Sequence, residues 1–302
     1  MAFPFNNGRL NGCPGLSGQG AVFLCALLWS TSGLFIRLVD WHPMLIVGSR
    51  SFLAALFLLA LRRLSPGPKK RIALGEMPAL ALYGICYAAT MILFVTANTM
   101  TAAANAIMLQ YAAPVWAALL GWFFLRERPL WEQWCALALV GLGMFFVFSG
   151  GLEAGSMTGD MLALASGVSF AGNTVVLRAY ALRTGKDGSP MDILIFSHII
   201  CAVFSVPFFF LHPVTLTAHN ILCIAYMGIF QIGLASALFA TGIKRVPVTQ
   251  AMLISSIEPV VNPIWVMLAL GERPTVFAVV GGGIIVAAVL FSSILPALRR
   301  RS

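Results

Sequence analysis

Apolar runs of about 20 residues follow one another along almost the whole chain, separated by short breaks that contain Pro and Gly. A membrane-spanning helix needs about 20 mostly apolar residues, and Pro and Gly mark the ends of helices. Ten runs fit this length, at residues 20–39, 43–61, 74–97, 101–125, 130–149, 159–182, 190–211, 217–241, 247–270 and 275–298. The pattern therefore predicts an all-α polytopic membrane protein with ten transmembrane helices.

Composition supports the same class of protein. Apolar residues make up 60% of the chain and charged residues 10%, whereas soluble domains carry about 25% charged residues. The net charge of +9 comes from basic residues grouped in short clusters between the apolar runs. Such clusters are typical of cytoplasmic loops rather than of a nucleic-acid interface. The six cysteines show no close spacing, so neither a disulfide framework nor a metal site is expected. The lipid bilayer is the first expected partner, and no nucleic acid is expected.

The distribution of basic residues predicts the orientation. With the amino terminus in the cytoplasm, 16 of the 19 Lys and Arg residues lie on the cytoplasmic side, as the positive-inside rule requires. These residues are Arg9, Arg62, Arg63, Lys69, Lys70, Arg71, Arg126, Arg128, Arg178, Arg183, Lys186, Lys244, Arg245, Arg299, Arg300 and Arg301. We expect a multi-pass protein of the plasma (inner) membrane with both termini in the cytoplasm. Residues 1–19 make a poor signal peptide and are predicted to be a cytoplasmic segment before an uncleaved first helix.

The chain contains an internal repeat. Residues 101–148 align without a gap onto 246–293, so that Pro114 falls on Pro259 and Glu127 falls on Glu272. A second alignment places Gly20, Ala26, Ser30 and Gly33 on Gly159, Ala165, Ser169 and Gly172. The predicted repeats are 20–149 and 159–298, with five helices each. Since five is odd, the second repeat must enter the membrane inverted, an arrangement typical of secondary transporters with a substrate site between the halves.

The sequence resembles the drug/metabolite transporter superfamily, and within it the EamA-type branch of ten-helix transporters. The matching features are Leu-Leu-Trp-Ser at 27–30, an arginine within the second helix (Arg50), Pro114 followed by Glu127, Glu-Pro-Val at 258–260 and Leu-Gly-Glu at 270–272. Within that branch it is most similar to the YddG-type exporters of aromatic amino acids. The resemblance implies a transporter with no cofactor and no enzymatic activity, which exports aromatic and other neutral amino acids or similar small metabolites by alternating access.

Three ionisable residues within the predicted helices are candidates for a role in coupling or in an internal ion pair, because such groups are costly in a membrane. Glu258 is a candidate for binding a substrate amine or a proton, or for stabilising the backbone beside Pro259. Arg50 is a candidate for binding a substrate carboxylate, for an ion pair, or for reaching towards the interface. His198 is a candidate proton relay or a hydrogen-bonded packing residue. Pro114 and Pro259 each remove a backbone hydrogen bond, so they predict kinks in helices four and nine.

A central cavity is expected between the halves, lined by helices one, three, four, six, eight and nine, with five and ten facing lipid. Tyr83 and Tyr87 share one helix face, and an aromatic lining suits an amphipathic amino acid. The uncharged candidates for the cavity wall are Trp29, Ser30, Tyr83, Tyr87, Asn105, Tyr111, Asn173, Gln231, Gln250 and Asn262.

Alternatives differ in substrate and mechanism. A sugar-phosphate or nucleotide-sugar exchanger of the same superfamily needs several basic residues at mid-depth, where this sequence offers Arg50. An intramembrane enzyme needs a motif such as His-Glu-x-x-His or Gly-x-Ser-x-Gly, and the sequence contains neither. The absence of a Gly-Lys-Ser/Thr phosphate loop excludes ATP-driven transport by this chain alone. Downhill facilitation and exchange against protons both remain open, so protons are a candidate second partner.

Overall fold

The computed structural model describes residues 17–64, 74–101, 103–149, 156–184, 191–270 and 276–299. Within these ranges the chain is helical and contains no strand. The ten helices are α1 (Gly18–Trp29 and Ser32–Arg37), α2 (Pro43–Leu64), α3 (Met77–Met100), α4 (Ala103–Gln110 and Ala113–Leu120, then a wide turn Gly121–Leu125), α5 (Trp131–Phe148), α6 (Met157–Thr184), α7 (Met191–Leu211), α8 (Ala218–Tyr226, a π-helical stretch Met227–Leu234, then Ala235–Ile243), α9 (Val248–Ser255 and Glu258–Leu270) and α10 (Val276–Arg299).

Each helix coincides with one of the ten predicted apolar runs. Among the described residues, eight helices are long and apolar enough to cross a membrane, and α5 and α10 contain shorter apolar stretches at Trp131–Val147 and Val279–Leu295. The prediction of an all-α membrane protein with ten helices is confirmed. Most of the predicted amino-terminal segment, and the predicted loops at 65–73 and 185–190, lie outside the described residues.

The repeat is visible in the helix boundaries. The first segment of α4 spans 103–110 and that of α9 spans 248–255; the second segments begin at 113 and 258; α5 begins at 131 and α10 at 276. Every one of these pairs differs by 145, the offset of the sequence alignment. Successive helices run in alternating directions, and corresponding helices such as α4 and α9 are five apart in the order. They therefore start from opposite sides of the bundle, so the two five-helix repeats are inverted.

The packing between helices follows the same symmetry. Helix α3 packs along α6, and its counterpart α8 packs along α1; α3 also contacts α7, as α8 contacts α2. The helices α2 and α7 pair with each other, and so do α5 and α10. We call the side on which α1, α3, α5, α7 and α9 begin the amino-terminal face, and the other side the opposite face.

Prolines interrupt α4 and α9 near the middle of the bundle. Pro114 lies in the first turn of the second segment of α4, and Pro259 in that of α9, a position where the missing N–H is tolerated. The first segments end at Gln110 and Ser255, the residues whose carbonyl groups a proline four positions later leaves unpaired. The backbone of α6 lies against the Gln110 carbonyl at Gly167, where a Cβ atom would stand 2.7 Å from that oxygen. This close approach holds the interrupted helix against the second repeat.

Candidate functional site

A cavity of about 160 Å³ lies between the two repeats. Eight helices contribute to its wall, with α3 and α8 contributing most; none of the lining residues belongs to α5 or α10. The lining residues are Trp29, Ser32, Ile36, Arg50, Tyr83, Tyr87, Thr90, Met91, Phe94, Gln110, Tyr111, Phe170, Asn173, Leu194, Gln231, Ile232, Ser236, Phe239 and Glu258. The wall includes residues from each of the six helices named in the sequence prediction, and one residue each from α2 and α7.

Aromatic rings form one part of the wall. The rings of Tyr83 and Tyr87 on α3 are stacked, with centroids 6.3 Å apart. The ring of Trp29 lies 5.2 Å from that of Phe239 and 6.1 Å from that of Phe170. These residues come from α1, α3, α6 and α8, so both repeats supply the aromatic surface. Such a surface accommodates a flat apolar group by ring stacking.

Polar and charged groups form another part of the wall. Arg50 on α2 is 7% exposed, and its guanidinium donates a hydrogen bond of 3.6 Å to the sulfur of Met91. Glu258 stands at the start of the second segment of α9, where its side chain interacts with the hydroxyl group of Tyr111. Gln231 on α8 is 3% exposed, and its side-chain oxygen has no hydrogen-bond partner within the described part of the chain. The cavity therefore combines aromatic rings with one cationic and one anionic side chain.

The cavity wall is buried at the end nearest the amino-terminal face, which we call the closed side, and includes a more exposed residue towards the opposite face. Tyr83 and Leu194, near the amino-terminal ends of α3 and α7, are 4% and 2% exposed. Ile36, near the far end of α1, is 38% exposed. Phe94 lies seven positions beyond Tyr87 on α3, so the α3 wall extends about 10 Å further towards the opposite face, at 1.5 Å per residue.

A network of charges lies on the amino-terminal face. The Glu127 carboxylate, which follows α4, lies 2.8 Å from Nε of Arg178 on α6. The other Glu127 oxygen accepts a hydrogen bond of 3.0 Å from the backbone N–H of Val248, at the start of α9. Arg178 also donates to the carbonyl oxygen of Ile243, at the end of α8. Four helices are thereby joined on the closed side of the cavity.

Most of the residues predicted for the site lie together in this wall. Those that line the cavity are Trp29, Tyr83, Tyr87, Tyr111, Asn173, Gln231, Arg50 and Glu258. The amide of Asn173 on α6 also donates a hydrogen bond of 3.4 Å to the hydroxyl of Thr90 on α3. The side chain of Asn105 lies outside the described residues.

Three residues predicted for the wall do not line the cavity. Ser30 is fully buried where α1 breaks, and its hydroxyl accepts a hydrogen bond of 2.9 Å from Trp265. Gln250 is buried between α9, α10 and α5, where it donates to Ser293 and accepts from Gln133. Asn262 lies on α9, one turn beyond Glu258, and is partly exposed. A polar residue within a transmembrane helix can equally bind a neighbouring helix, and the sequence does not distinguish that role from a place in the wall.

His198 and the two prolines lie behind the cavity surface. His198 is fully buried, its Nε2 lies 3.3 Å from the Ser236 hydroxyl, and its ring meets that of Tyr87 edge-on at 5.0 Å. Pro114 and Pro259 are buried at the two helix breaks. Among the described side chains, no three His, Cys, Asp or Glu residues are grouped as metal ligands.

Several lining residues were not predicted, although α3 carries a signal for them. Thr90, Met91 and Phe94 follow Tyr83 and Tyr87 at helical spacing on the same face. Extending the Tyr83–Tyr87 face along α3 would have found all three. Leu194 and Phe239 carry no comparable signal, because apolar residues occur on every face of these helices.

An inverted-repeat helical bundle around a central cavity defines a membrane transporter. The model of the EamA-like transporter family matches this chain twice, over residues 16–149 and 157–294. The chain therefore belongs to the EamA-like transporter family. One solved crystal structure of a protein superposes on 94% of this chain and 99% of its own length, with a TM-score of 0.78 at 20% identity, which supports the fold.

Curated relatives are similar over most of their length. An uncharacterized transporter of Bacillus subtilis (strain 168), YwfM, is 25% identical over 288 residues, which cover 91% of this chain and 93% of that protein. An uncharacterized transporter of Archaeoglobus fulgidus is 25% identical over 275 residues, covering 91% and 96%. The threonine/homoserine exporter RhtA of Escherichia coli (strain K12) is 25% identical over 233 residues, 74% of each chain. These relatives are transporters rather than enzymes.

Proposed function

We propose that this protein exports amino acids, aromatic and other neutral ones, or closely similar small metabolites, across the inner membrane. The observation that carries the proposal is the composition of the central cavity, where stacked aromatic rings stand beside single charged groups of both signs. An aromatic amino acid has the same combination of a flat ring and two opposite charges. The similarity to the threonine/homoserine exporter supports an amino acid as the substrate class.

The cavity favours a small neutral substrate over a sugar phosphate or nucleotide sugar. Its volume of about 160 Å³ is below the roughly 300–1,000 Å³ of pockets for drug-sized ligands. Arg50 is the one basic residue among its described lining residues, and Glu258 offsets that charge. A phosphorylated substrate carries at least one more negative charge than this wall balances.

Alternating access requires that the cavity open to one side at a time. The closed side is the amino-terminal face, where the Glu127–Arg178 network joins four helices. The positive-inside rule places this face in the cytoplasm, so the arrangement corresponds to an outward-facing state. Export then requires the network to open, so that substrate enters from the cytoplasm.

The test is uptake of labelled amino acids by proteoliposomes that contain the purified protein. We expect saturable uptake of phenylalanine and threonine down a concentration gradient, and inhibition of phenylalanine uptake by other neutral amino acids. Protein-free liposomes provide the control. Uptake at the protein-free rate for every amino acid would overturn the proposal.

Coupling to protons is tested in the same system. Glu258 is the one carboxylate among the described lining residues and is the candidate proton carrier for exchange. A facilitator equilibrates the substrate regardless of an imposed pH gradient, whereas an exchanger concentrates it against its own gradient. We propose facilitation, since the described wall offers a single carboxylate; accumulation driven by a pH gradient and lost in Glu258→Gln would establish exchange instead.

A further inference from the structure

We infer that the cavity binds the α-ammonium and α-carboxylate groups of one zwitterion at separate places, with the carboxylate at Arg50 and the ammonium at Glu258 and Gln231. This inference rests on the proposed function and adds a binding mode and an orientation to it. The evidence is the state of three side chains that line the same cavity.

Arg50 lacks a strong hydrogen-bond acceptor. Its guanidinium has five N–H donors, and within the described part of the chain its one hydrogen bond goes to the Met91 sulfur, a weak acceptor. The residue is 7% exposed, so water satisfies little of it. It lies seven residues after the start of α2, about 10 Å into the helix. A carboxylate is the acceptor that matches the planar guanidinium fork.

The side-chain oxygen of Gln231 has no hydrogen-bond donor as a partner within the described part of the chain. It is also buried. Leaving such an oxygen unpaired costs free energy, so the oxygen favours a ligand that carries N–H groups. The ammonium group of an amino acid supplies three.

Glu258 supplies the opposite charge. Its carboxyl group lines the cavity beside the Tyr111 hydroxyl and does not form an ion pair with Arg50 or with any other described residue. The two charges therefore face one cavity without neutralising each other through a direct contact. A ligand with separated positive and negative groups satisfies both charges, whereas a simple anion or cation satisfies one.

The aromatic residues fix the direction of the ligand. Tyr83 and Phe239, which are 4% exposed, lie in the part of the wall nearest the amino-terminal face. Arg50 belongs to the outer half of α2, and Glu258 begins the second segment of α9. The substrate ring thus points towards the amino-terminal face and the zwitterionic end towards the opposite face. This assignment gives Arg50 and Glu258 separate and testable contributions to selectivity.

The experiment compares L-phenylalanine with two analogues, each of which lacks one charged group. Phenethylamine lacks the carboxylate, and 3-phenylpropionate lacks the ammonium. Binding to the purified protein is measured by ligand-induced thermal stabilisation, and transport by competition with labelled phenylalanine in proteoliposomes. In the wild-type protein we expect phenylalanine to bind at least about tenfold more tightly than either analogue, the order expected for one hydrogen bond to a charged group.

The variants separate the two halves of the site. Arg50→Gln should weaken phenylalanine binding about tenfold or more and leave phenethylamine binding unchanged or tighter. Glu258→Gln should weaken phenylalanine binding in the same way and leave 3-phenylpropionate binding unchanged or tighter. Arg50→Lys keeps the charge and should recover part of the selectivity. Arg183→Gln, at an exposed residue of α6 outside the cavity, and Glu132→Gln, buried on α5, are the matched controls.

Two results would overturn the binding mode while leaving amino-acid export in place. One is equal competition by phenylalanine and both analogues in the wild-type protein, a comparison that needs no variant to fold. The other is a uniform loss of all three ligands in Arg50→Gln and in Glu258→Gln, together with normal transport by the controls. If wild-type proteoliposomes transport no amino acid, the proposed function fails and the zwitterion site fails with it.

Discussion

The Glu127 carboxylate lies 2.8 Å from Nε of Arg178 and thereby joins the end of α4 in the first repeat to α6 in the second. Both side chains are mostly shielded from solvent, at 16% and 11% exposure. The same two residues also bind the backbone at Val248 and Ile243. The ion pair therefore holds the closed side of the cavity through side-chain and backbone contacts in both halves.

Removal of the Arg178 charge should destabilise this closed side. Arg178→Gln leaves Glu127 shielded without its cation, a change that costs about 3–5 kcal/mol for a buried pair and less here because of the partial exposure. We expect the apparent Tm of the purified protein to fall by roughly 5–10 °C. The neutral double variant Glu127→Gln/Arg178→Gln should recover part of the loss.

The control for this prediction is Arg183→Gln, the same substitution at an exposed residue on the same helix. It should leave the Tm unchanged. If the two single substitutions behave alike, or if the double variant shows the sum of the single effects, the ion pair does not hold the face closed.

The fold followed from the sequence because its two strongest signals are local. A run of about 20 apolar residues in lipid has to form a helix, since the backbone has no other hydrogen-bond partners there. The Pro114–Pro259 match also located the broken helices, and the breaks begin three residues before each proline in both repeats. The break in α1 contains no proline, but the hydroxyl groups of Ser30 and Thr31 donate hydrogen bonds to the carbonyl oxygens of Leu27 and Leu28, an interaction that bends helices. The π-helical stretch in α8 also lacks proline and contains Gly228 and Gly233.

Substitution of Gly167 should disturb the contact that holds the broken helix α4. A Cβ atom at this position would stand 2.7 Å from the Gln110 carbonyl oxygen, and backbone atoms cannot rotate away. Gly167→Ala should therefore destabilise the protein by about 1–3 kcal/mol, as expected for overpacking. The measurement is apparent Tm together with the monodisperse fraction in size-exclusion chromatography.

Gly141→Ala provides the matched control, because a Cβ atom there would have no neighbour within 4 Å. Since Ala is a better helix former than Gly, the control should be neutral or slightly stabilising. Equal destabilisation by both substitutions would show that helix α6 does not depend on the close approach to Gln110.

The site was only partly predictable for a physical reason. A polar residue in a transmembrane helix either lines a cavity or binds a neighbouring helix, and both choices satisfy its hydrogen bonds. Tyr87 and Gln250 illustrate the two outcomes, because Tyr87 lines the cavity and Gln250 is bound to Ser293 and Gln133. Arg50 was assigned to three alternatives from sequence, and its location in the wall depends on how α2 packs against α8.

Loss of the stacked tyrosines should reduce transport of aromatic substrates selectively. Tyr83→Ala and Tyr87→Ala remove rings from the cavity wall, and an aromatic pair contributes about 0.5–1.5 kcal/mol beyond its buried area. We expect at least a severalfold loss in phenylalanine uptake and a smaller loss in threonine uptake. Tyr83→Phe should retain most of the activity, because it keeps the ring.

The control for the tyrosines is Trp131→Ala, which removes an aromatic ring from α5, where the side chain is 52% exposed and remote from the cavity. Folded protein in the membrane is quantified for every variant. Wild-type phenylalanine uptake by both tyrosine variants, together with loss of uptake in Trp131→Ala, would place the substrate elsewhere.

Membrane orientation can be read from two exposed loop positions. Arg128 follows α4 on the amino-terminal face, and Leu216 precedes α8 on the opposite face. In a background without reactive native cysteines, Arg128→Cys should be labelled by a membrane-impermeant maleimide only after the cells are opened. Leu216→Cys should be labelled in cells whose inner membrane is intact. The reverse pattern would invert the proposed direction of the cavity.

Acidification should weaken the contact between α2 and α7 on the opposite face. The rings of His42 and His212 are stacked with centroids 3.9 Å apart, and Nδ1 of His42 accepts a hydrogen bond from the backbone N–H of Met44. Burial, and then the neighbouring His212, lower the pKa of His42 from its ordinary value of 6.5. The folded state therefore favours the neutral ring, and protonation removes the acceptor for Met44.

The sign of the pH effect follows from this shift. Below about pH 6.5 the unfolded chain binds more protons at His42 than the folded protein does, so the stabilising contribution is present above that pH and declines as pH falls towards the lower pKa of the folded state. The apparent Tm of the wild-type protein should fall between pH 8 and pH 5.

His42→Phe keeps an aromatic ring in the stack without a titrating group, so its Tm should fall less over the same range. His219→Gln, which changes an exposed histidine on the same face, should follow the wild-type curve. Parallel curves for His42→Phe and the wild-type protein would exclude His42 as the source of the pH dependence.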